Sequence, residues 1–259
     1  MTSVSNASPE LRPLCPAHPE TLEVKACERC GSYFCAHCVS SGGRCQECLL
    51  HYMEASPSSK NRAKRAVLSL RILAALGMFK LIVNVWGVIL WDVVLPSRPD
   101  SRYVDIYVPT VWFVAGAFYV LLSLTAVACL MWVHAVVRQM NVWGANVGAT
   151  PTWAVVCWFV PFVNLIKPLM IVRRIVEELG GRGLVAALKL RVWWGALLLS
   201  RILYGVLQSL MRPVLVSLLV TTKLLVEIGF WTCALIAVFL TLRILREVQM
   251  RLESRRNCF

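Results

Sequence analysis

Residues 72–95 read ILAALGMFKLIVNVWGVILWDVVL, with Lys80 and Asp92 as their only charges. A hydrocarbon core of about 30 Å takes about 20 helical residues to cross, so this run is long enough to span one. A helix satisfies its own backbone donors and acceptors, which is what lets an open segment sit in lipid. Three further runs of the same kind occupy residues 110–134, 192–211 and 218–242. The sequence therefore predicts an all-α membrane protein with four transmembrane helices. Trp91, Tyr103, Tyr107, Trp112, Trp132, Trp193 and Trp194 lie near the expected span ends, where amphipathic rings settle.

Composition agrees. The 259 residues are 58% hydrophobic and only 16% charged, against about a quarter charged in soluble domains. Residues 1–60 hold five Lys/Arg and six Asp/Glu, whereas residues 61–259 hold 22 and eight, so the net +13 comes entirely from the apolar part. Nucleic acid is not an expected partner, because the basic residues punctuate hydrophobic runs instead of forming a polar stripe. Their placement fits the lipid bilayer, with cations gathered on the cytoplasmic side.

A fifth apolar stretch, residues 152–172, differs from the others. It contains Pro161, Asn164, Lys167 and Pro168, and each proline removes a helix donor and crowds the preceding turn. Charge parity decides its path. If it does not cross, the inner side collects Lys60, Arg62, Lys64, Arg65, Arg138, the basic residues from Lys167 to Arg191 and those from Arg243 to Arg256. The outer side then holds only Arg98, Arg102 and Arg212. If it crosses, the richest later clusters move outside, against the positive-inside rule. The segment is therefore expected to be a Pro-broken re-entrant or interfacial element, with both termini cytoplasmic and the chain multi-pass in the cell membrane. Beyond it, Val172, Ile175, Val176 and Leu179 share one helical face opposite Arg173, Arg174, Glu177 and Glu178, a pattern for an interfacial helix ended by Gly180, Gly181 and Gly183.

Seven of the eleven cysteines lie between Cys15 and Cys48. Residues 1–14 have no apolar core of a cleavable signal peptide, so the Cys-rich end is expected to stay in a reducing cytoplasm, where clustered cysteines point to metal. Four ligand pairs stand in order: Cys15 and His18, Cys27 and Cys30, Cys35 and Cys38, Cys45 and Cys48. Each pair has two intervening residues, the spacing of a knuckle that presents two ligands to one tetrahedral Zn²⁺. Four pairs make two zinc sites. His37 in place of Cys38, or His51 at the edge, are the alternative ligands.

These pairs and the short gaps between them resemble the B-box zinc finger, in a variant found at the N-termini of bacterial membrane proteins. The resemblance implies interleaving: Cys15, His18, Cys35 and Cys38 on one ion, Cys27, Cys30, Cys45 and Cys48 on the other. The last pair is histidine in the usual B-box and cysteine here. With all ligands used the sites read as closed and structural, without the open position of a catalytic zinc. The span is too short for a RING. The run from Asn141 to Leu179, with Trp153, Trp158, Pro161, Asn164, Lys167 and Pro168, resembles the bacterial membrane family called domain of unknown function 4328, over residues 66–250. Lys167 stands where arginine is common. That resemblance implies an integral membrane protein and brings no activity.

Lys80, Arg201 and Glu227 fall inside the expected spans, where a central charge costs about 2.5–3.5 kcal/mol on insertion scales. Glu227 is expected to neutralise Lys80 or Arg201, first as a structural ion pair and alternatively as part of a ligand or proton path. Neither a nucleophile elbow, a His-Glu-x-x-His helix nor a phosphate-cradling glycine loop is present, so enzymatic activity is not expected. The organisation expected is a disordered stretch 1–14, a zinc-binding domain 15–51, a basic linker 52–65, a transmembrane domain 66–250 and a basic tail 251–259. The finger is expected to tether or recognise a cytoplasmic protein, as a scaffold or sensor. The alternative is a small transporter or ligand-binding protein that uses the Pro161–Pro168 element and the charged seam.

Overall fold

The computed structural model describes residues 13–39, 43, 45–48, 58–97, 102–145, 147–210 and 220–257. Two short strands come first, β1 (Val24–Ala26) and β2 (Tyr33–Cys35), paired antiparallel with Val24 opposite Cys35 and Ala26 opposite Tyr33. Then follow α1 (Lys60–Ile89), extended by a π-helical turn at Leu90–Val94 to Ser97, and α2 (Tyr103–Val142). The remainder is α3 (Pro151–Val156), a 3-10 turn at Val163–Leu165, α4 (Lys167–Ala187), α5 (Leu190–Leu210) and α6 (Val220–Asn257).

Among the described residues, four helices are long and apolar enough to cross a membrane: Lys60–Ser97, Tyr103–Val142, Leu190–Ser209 and Thr222–Arg256. Their most apolar windows are only 22% to 39% buried within the protein. Ile82, Phe113, Leu124 and Ile202 each expose 62% to 78% of their surface. An outward face this apolar is stable only against lipid, so the chain is a multi-pass membrane protein. Helix α6 packs between α1 and α5, and α1 packs between α6 and α2. Small residues bring the helices close, as packing without a hydrophobic drive requires: Gly77 faces Leu235 and Trp231, and Gly87 lies under the Tyr107 hydroxyl.

The first residue of α1 meets the last turns of α6, with Lys60 Nζ 3.5 Å from Glu253 Oε2. At this end the largest apolar cluster gathers the ends of α1, α2, α5 and α6 under α3 and α4, with Val136, Met140, Val176, Leu245, Val248 and Leu252 almost wholly buried. A smaller cluster of Leu73, Phe118 and Trp231 holds the middle, where Phe118 meets Trp231 edge-on at 4.3 Å. Val83, Leu90 and Tyr107 close the far end.

The helices outrun the apolar stretches that announce them. Residues 60–65, expected in the linker, are the first turns of α1, and Ala63 and Ala66 are buried there. Residues 251–257, expected as a tail, continue α6; Leu252 is buried, and Arg255 Nη2 donates to Glu178 O at 2.6 Å. Both ends are amphipathic, and the cluster they bury beyond the lipid-facing run extends the helices. Of the expected stretch 1–14, residues 1–12 lie outside the described residues, as do residues 49–57, including His51.

The fifth apolar stretch is broken, as its prolines predict. Thr150 caps α3, its hydroxyl oxygen accepting from Trp153 N at 3.2 Å, with Pro151 in the first turn, where a missing N–H is harmless. The chain then turns through Phe162, at φ 62°, and Pro168 restarts a helix as part of the first turn of α4. Ile171, Val172, Ile175, Val176 and Leu179 of α4 are buried, while Arg173 and Arg174 face outward and Arg173 pairs with Glu177 at 2.8 Å. Gly181, at φ 70°, breaks the helix before its last residues.

Candidate functional site

The first three ligand pairs near the N-terminus each sit on a tight turn, and the fourth, Cys45 and Cys48, spans a short helical segment. His18 N donates to Cys15 O at 3.2 Å, Gly31 N to Cys27 O at 2.9 Å and Cys38 N to Cys35 O at 3.0 Å. Gly31 takes φ 72°, a conformation glycine adopts without strain, so the chain reverses directly after Cys30 into the hairpin. That hairpin carries the chain from Cys27 back to Cys35, so consecutive pairs fall into different sites. The result is a cross-brace: Cys15, His18, Cys35 and Cys38 form one set and Cys27, Cys30, Cys45 and Cys48 the other, each with its ligand atoms all within 4.8 Å of one another. His37 stands outside both sets, its ring 6.5 Å from that of His18.

The spacings test whether a metal fits. With Zn–S about 2.3 Å and Zn–N about 2.0 Å, tetrahedral edges are about 3.8 Å between sulfurs and about 3.5 Å between sulfur and nitrogen. Cys30 Sγ lies 3.8 Å from Cys45 Sγ. His18 Nδ1 lies 3.4 Å from Cys35 Sγ and 3.3 Å from Cys38 Sγ. These are ligand-to-ligand edges, and each set can hold one metal ion with chemistry consistent with zinc. Backbone amides complete the surroundings, Cys45 N donating to Cys27 Sγ at 3.3 Å and Cys48 N to Cys45 Sγ at 3.4 Å.

The same amides tune the thiols. Backbone N–H groups, led by that of Cys35 for Cys15 and that of Cys30 for Cys27, pull both thiols from their ordinary 9.0 down to about 6. Desolvation pushes Cys38 up to about 11, and proton sharing with Cys45 pushes Cys48 up to about 12. Hydrogen bonds to the Cys15 and Cys35 sulfurs raise His18. Each set thus starts with a ready thiolate and a thiol whose proton a metal must displace.

A second polar group lies within the helices. Lys80 Nζ is 3.4 Å from Glu227 Oε1 and donates to Asn84 Oδ1 at 2.9 Å, with the Lys80 side chain only 1% exposed. Arg201 is exposed and does not join them; its side chain leaves the seam for the outer surface of α5. Asn84 was not singled out by sequence, although it stands one turn after Lys80 in the same apolar run. Asn84 Nδ2, Thr125 Oγ1 and Trp231 Nε1 are buried without a protein partner.

At the basic end, Ser59 Oγ lies 3.0 Å from Gln139 Oε1 and 3.1 Å from Gln249 Oε1, and Trp132 Nε1 donates to the same Gln249 oxygen at 3.3 Å. The serine hydroxyl has one proton to give, so it serves one amide at a time. These buried groups tie α1 to α2 and α6, and no local sequence pattern announces them, because Ser59 and Gln249 are 190 residues apart.

The tryptophan- and proline-rich motif builds a bend. Trp158 packs edge-on against Trp194 at 6.0 Å, and Trp194 Nε1 donates to Leu165 O at 2.8 Å, fixing the turn to α5. Pro168 is buried, Asn164 is half-buried with its backbone N bonded to Val160 O at 3.0 Å, and Lys167 and Trp153 are exposed. Phe159 and Phe162 project outward, 71% and 83% exposed.

No curated protein and no solved structure matches the chain. Residues 100–250, more than half of the 259, match one family. The chain belongs to the family described as Domain of unknown function (DUF4328).

Proposed function

We propose that the protein is a non-enzymatic membrane tether or sensor whose B-box-like finger holds two structural zinc ions and docks a cytoplasmic protein. The observation that carries this reading is the pair of complete four-ligand sets: every ligand is used, so the metal supports a surface instead of presenting a reactive position. That surface offers Tyr33 at 46% exposure, a residue type enriched among interface anchors, with Leu14 and Leu22 also exposed at 50% and 79%. The basic end of the bundle lies on the cytoplasmic side of the cell membrane, and the α1 start and α6 end lie there together. Phe159 and Phe162 dip from that side into the interface.

Proximity labelling from the N-terminus in living cells tests the tether. Specific cytoplasmic neighbours that disappear with Cys27→Ser and Cys30→Ser support it; an unchanged neighbour list refutes it.

The unpartnered Asn84 Nδ2 beside Lys80 and Glu227 favours one second reading, a ligand or proton site inside the helices. Proteoliposomes loaded with a pH dye separate the two. A proton flux abolished by Glu227→Gln supports the second reading, and no flux leaves the tether.

A further inference from the structure

We infer that a groove between α1 and α6 binds the headgroup of an anionic phospholipid through Arg71, Arg243 and Arg246. Arg71 stands immediately before the apolar run 72–95, and Arg243 immediately after the run 218–242. The two helices are antiparallel neighbours, so both arginines sit where the hydrocarbon ends and phosphates begin. They line one groove of about 440 Å³ together with Ala74, Ala75, Met78 and Phe239.

Charge in the groove is unbalanced. Glu247 lines it too, but its carboxylate is engaged by Arg251 Nε at 2.8 Å. Among the described residues, Arg71, Arg243 and Arg246 have no carboxylate within ion-pair distance. A guanidinium is suited to bidentate phosphate contact, and basic pockets between membrane helices on the cytoplasmic side are suited to anionic headgroups. An adjoining groove shares Arg71 and Arg246 and adds Lys64, extending the positive strip toward the water.

The apolar half of the groove argues for lipid over a free anion. Met78 and Phe239 are 45% and 50% exposed on the outward surface, and two alanines beside them leave a shallow channel that an acyl chain can follow. A soluble phosphate would use the guanidiniums and leave that channel empty. The inference rests on the membrane helices alone and is independent of the finger.

The test uses the full-length protein in phosphatidylcholine nanodiscs doped with spin-labelled phosphatidylglycerol or spin-labelled phosphatidylcholine. Each guanidinium beside an anionic headgroup is worth about fivefold in affinity, so the native protein should immobilise phosphatidylglycerol at least fivefold more strongly than phosphatidylcholine. Arg71→Gln with Arg243→Gln and Arg246→Gln should lose that preference, and the three Lys replacements should keep most of it. Equal immobilisation of both lipids by the native protein overturns the inference, as does a preference that survives the Gln variant. If the Gln variant fails to insert, loss of preference in the Lys variant overturns it, and retention upholds it. Displacement of the labelled lipid by millimolar inorganic phosphate assigns the groove to a free anion and overturns the lipid assignment.

Discussion

The finger and the bundle are each incomplete as chains, in opposite directions. Among the described residues of the finger, only Cys15, Cys27, Cys35 and Cys45 are buried, so its interior is its ligand set, and an ion held there would serve as its core. The bundle has a packed interior at its basic end, and what it lacks is a partner for its outside. The comparison teaches that each region leaves room for a non-protein phase, a metal ion that the ligand sets of one can hold and lipid around the other.

The largest effect should come from taking the metal. Structural zinc contributes about 10–16 kcal/mol of apparent binding energy in small fingers, so a strong chelator should unfold the finger completely. Limited proteolysis of the full-length protein should then cut within residues 15–48, while helical circular dichroism stays unchanged. Loss of helix on chelation would show that the two regions are coupled.

Acid should do the same reversibly. Cys15 and Cys27 are held at about 6 against an ordinary 9.0. A depressed folded value means their contribution is complete above 9 and is lost as pH falls through 6. Protonation of His18, whose value is raised, competes with the metal in the same direction. Competition with a zinc dye should show affinity falling steadily from pH 8 to pH 6, and a flat profile would contradict the ligand assignment.

In the bundle, Glu227→Gln should cost about 3 kcal/mol by leaving the Lys80 ammonium buried without a counter-charge, read as a lower unfolding temperature in detergent. Adding Lys80→Met should recover most of that loss. Arg201→Gln should change stability by less than about 0.5 kcal/mol.

Smaller effects discriminate packing from open surface. Gly87→Ala drives a methyl into the Tyr107 hydroxyl and should cost about 1–3 kcal/mol. Gly116→Ala meets nothing within 4 Å and should be neutral or stabilising by about 0.5 kcal/mol. Ser59→Ala removes one buried donor from Gln139 and Gln249 and should cost about 1 kcal/mol. Thermal melts of the three variants in one detergent rank them.

The two regions also differ in what a sequence can reveal. Zinc chemistry fixes ligand type and spacing, so the four pairs of the finger were visible as pairs, and even their exchange of partners followed from a resemblance. Hydropathy made the four crossings visible for an equally local reason, because about 20 apolar residues are what lipid demands. The helix ends were not visible: the turns at residues 60–65 and 251–257 are polar along the chain and become helix only through the cluster they bury at the basic end. Arg201 shows the same limit, since depth along a helix is legible and the direction of a side chain around it is not. Gln139 and Gln249 matter through partners elsewhere in the fold, which no local pattern encodes.

The most direct measurement labels engineered cysteines on sealed cells with a membrane-impermeant maleimide. Arg102→Cys should react at once, while Asn257→Cys and the native finger thiols should react only after the membrane is opened. Labelling of Asn257→Cys in intact cells would contradict an even number of crossings with the finger and the last helix end on the cytoplasmic face.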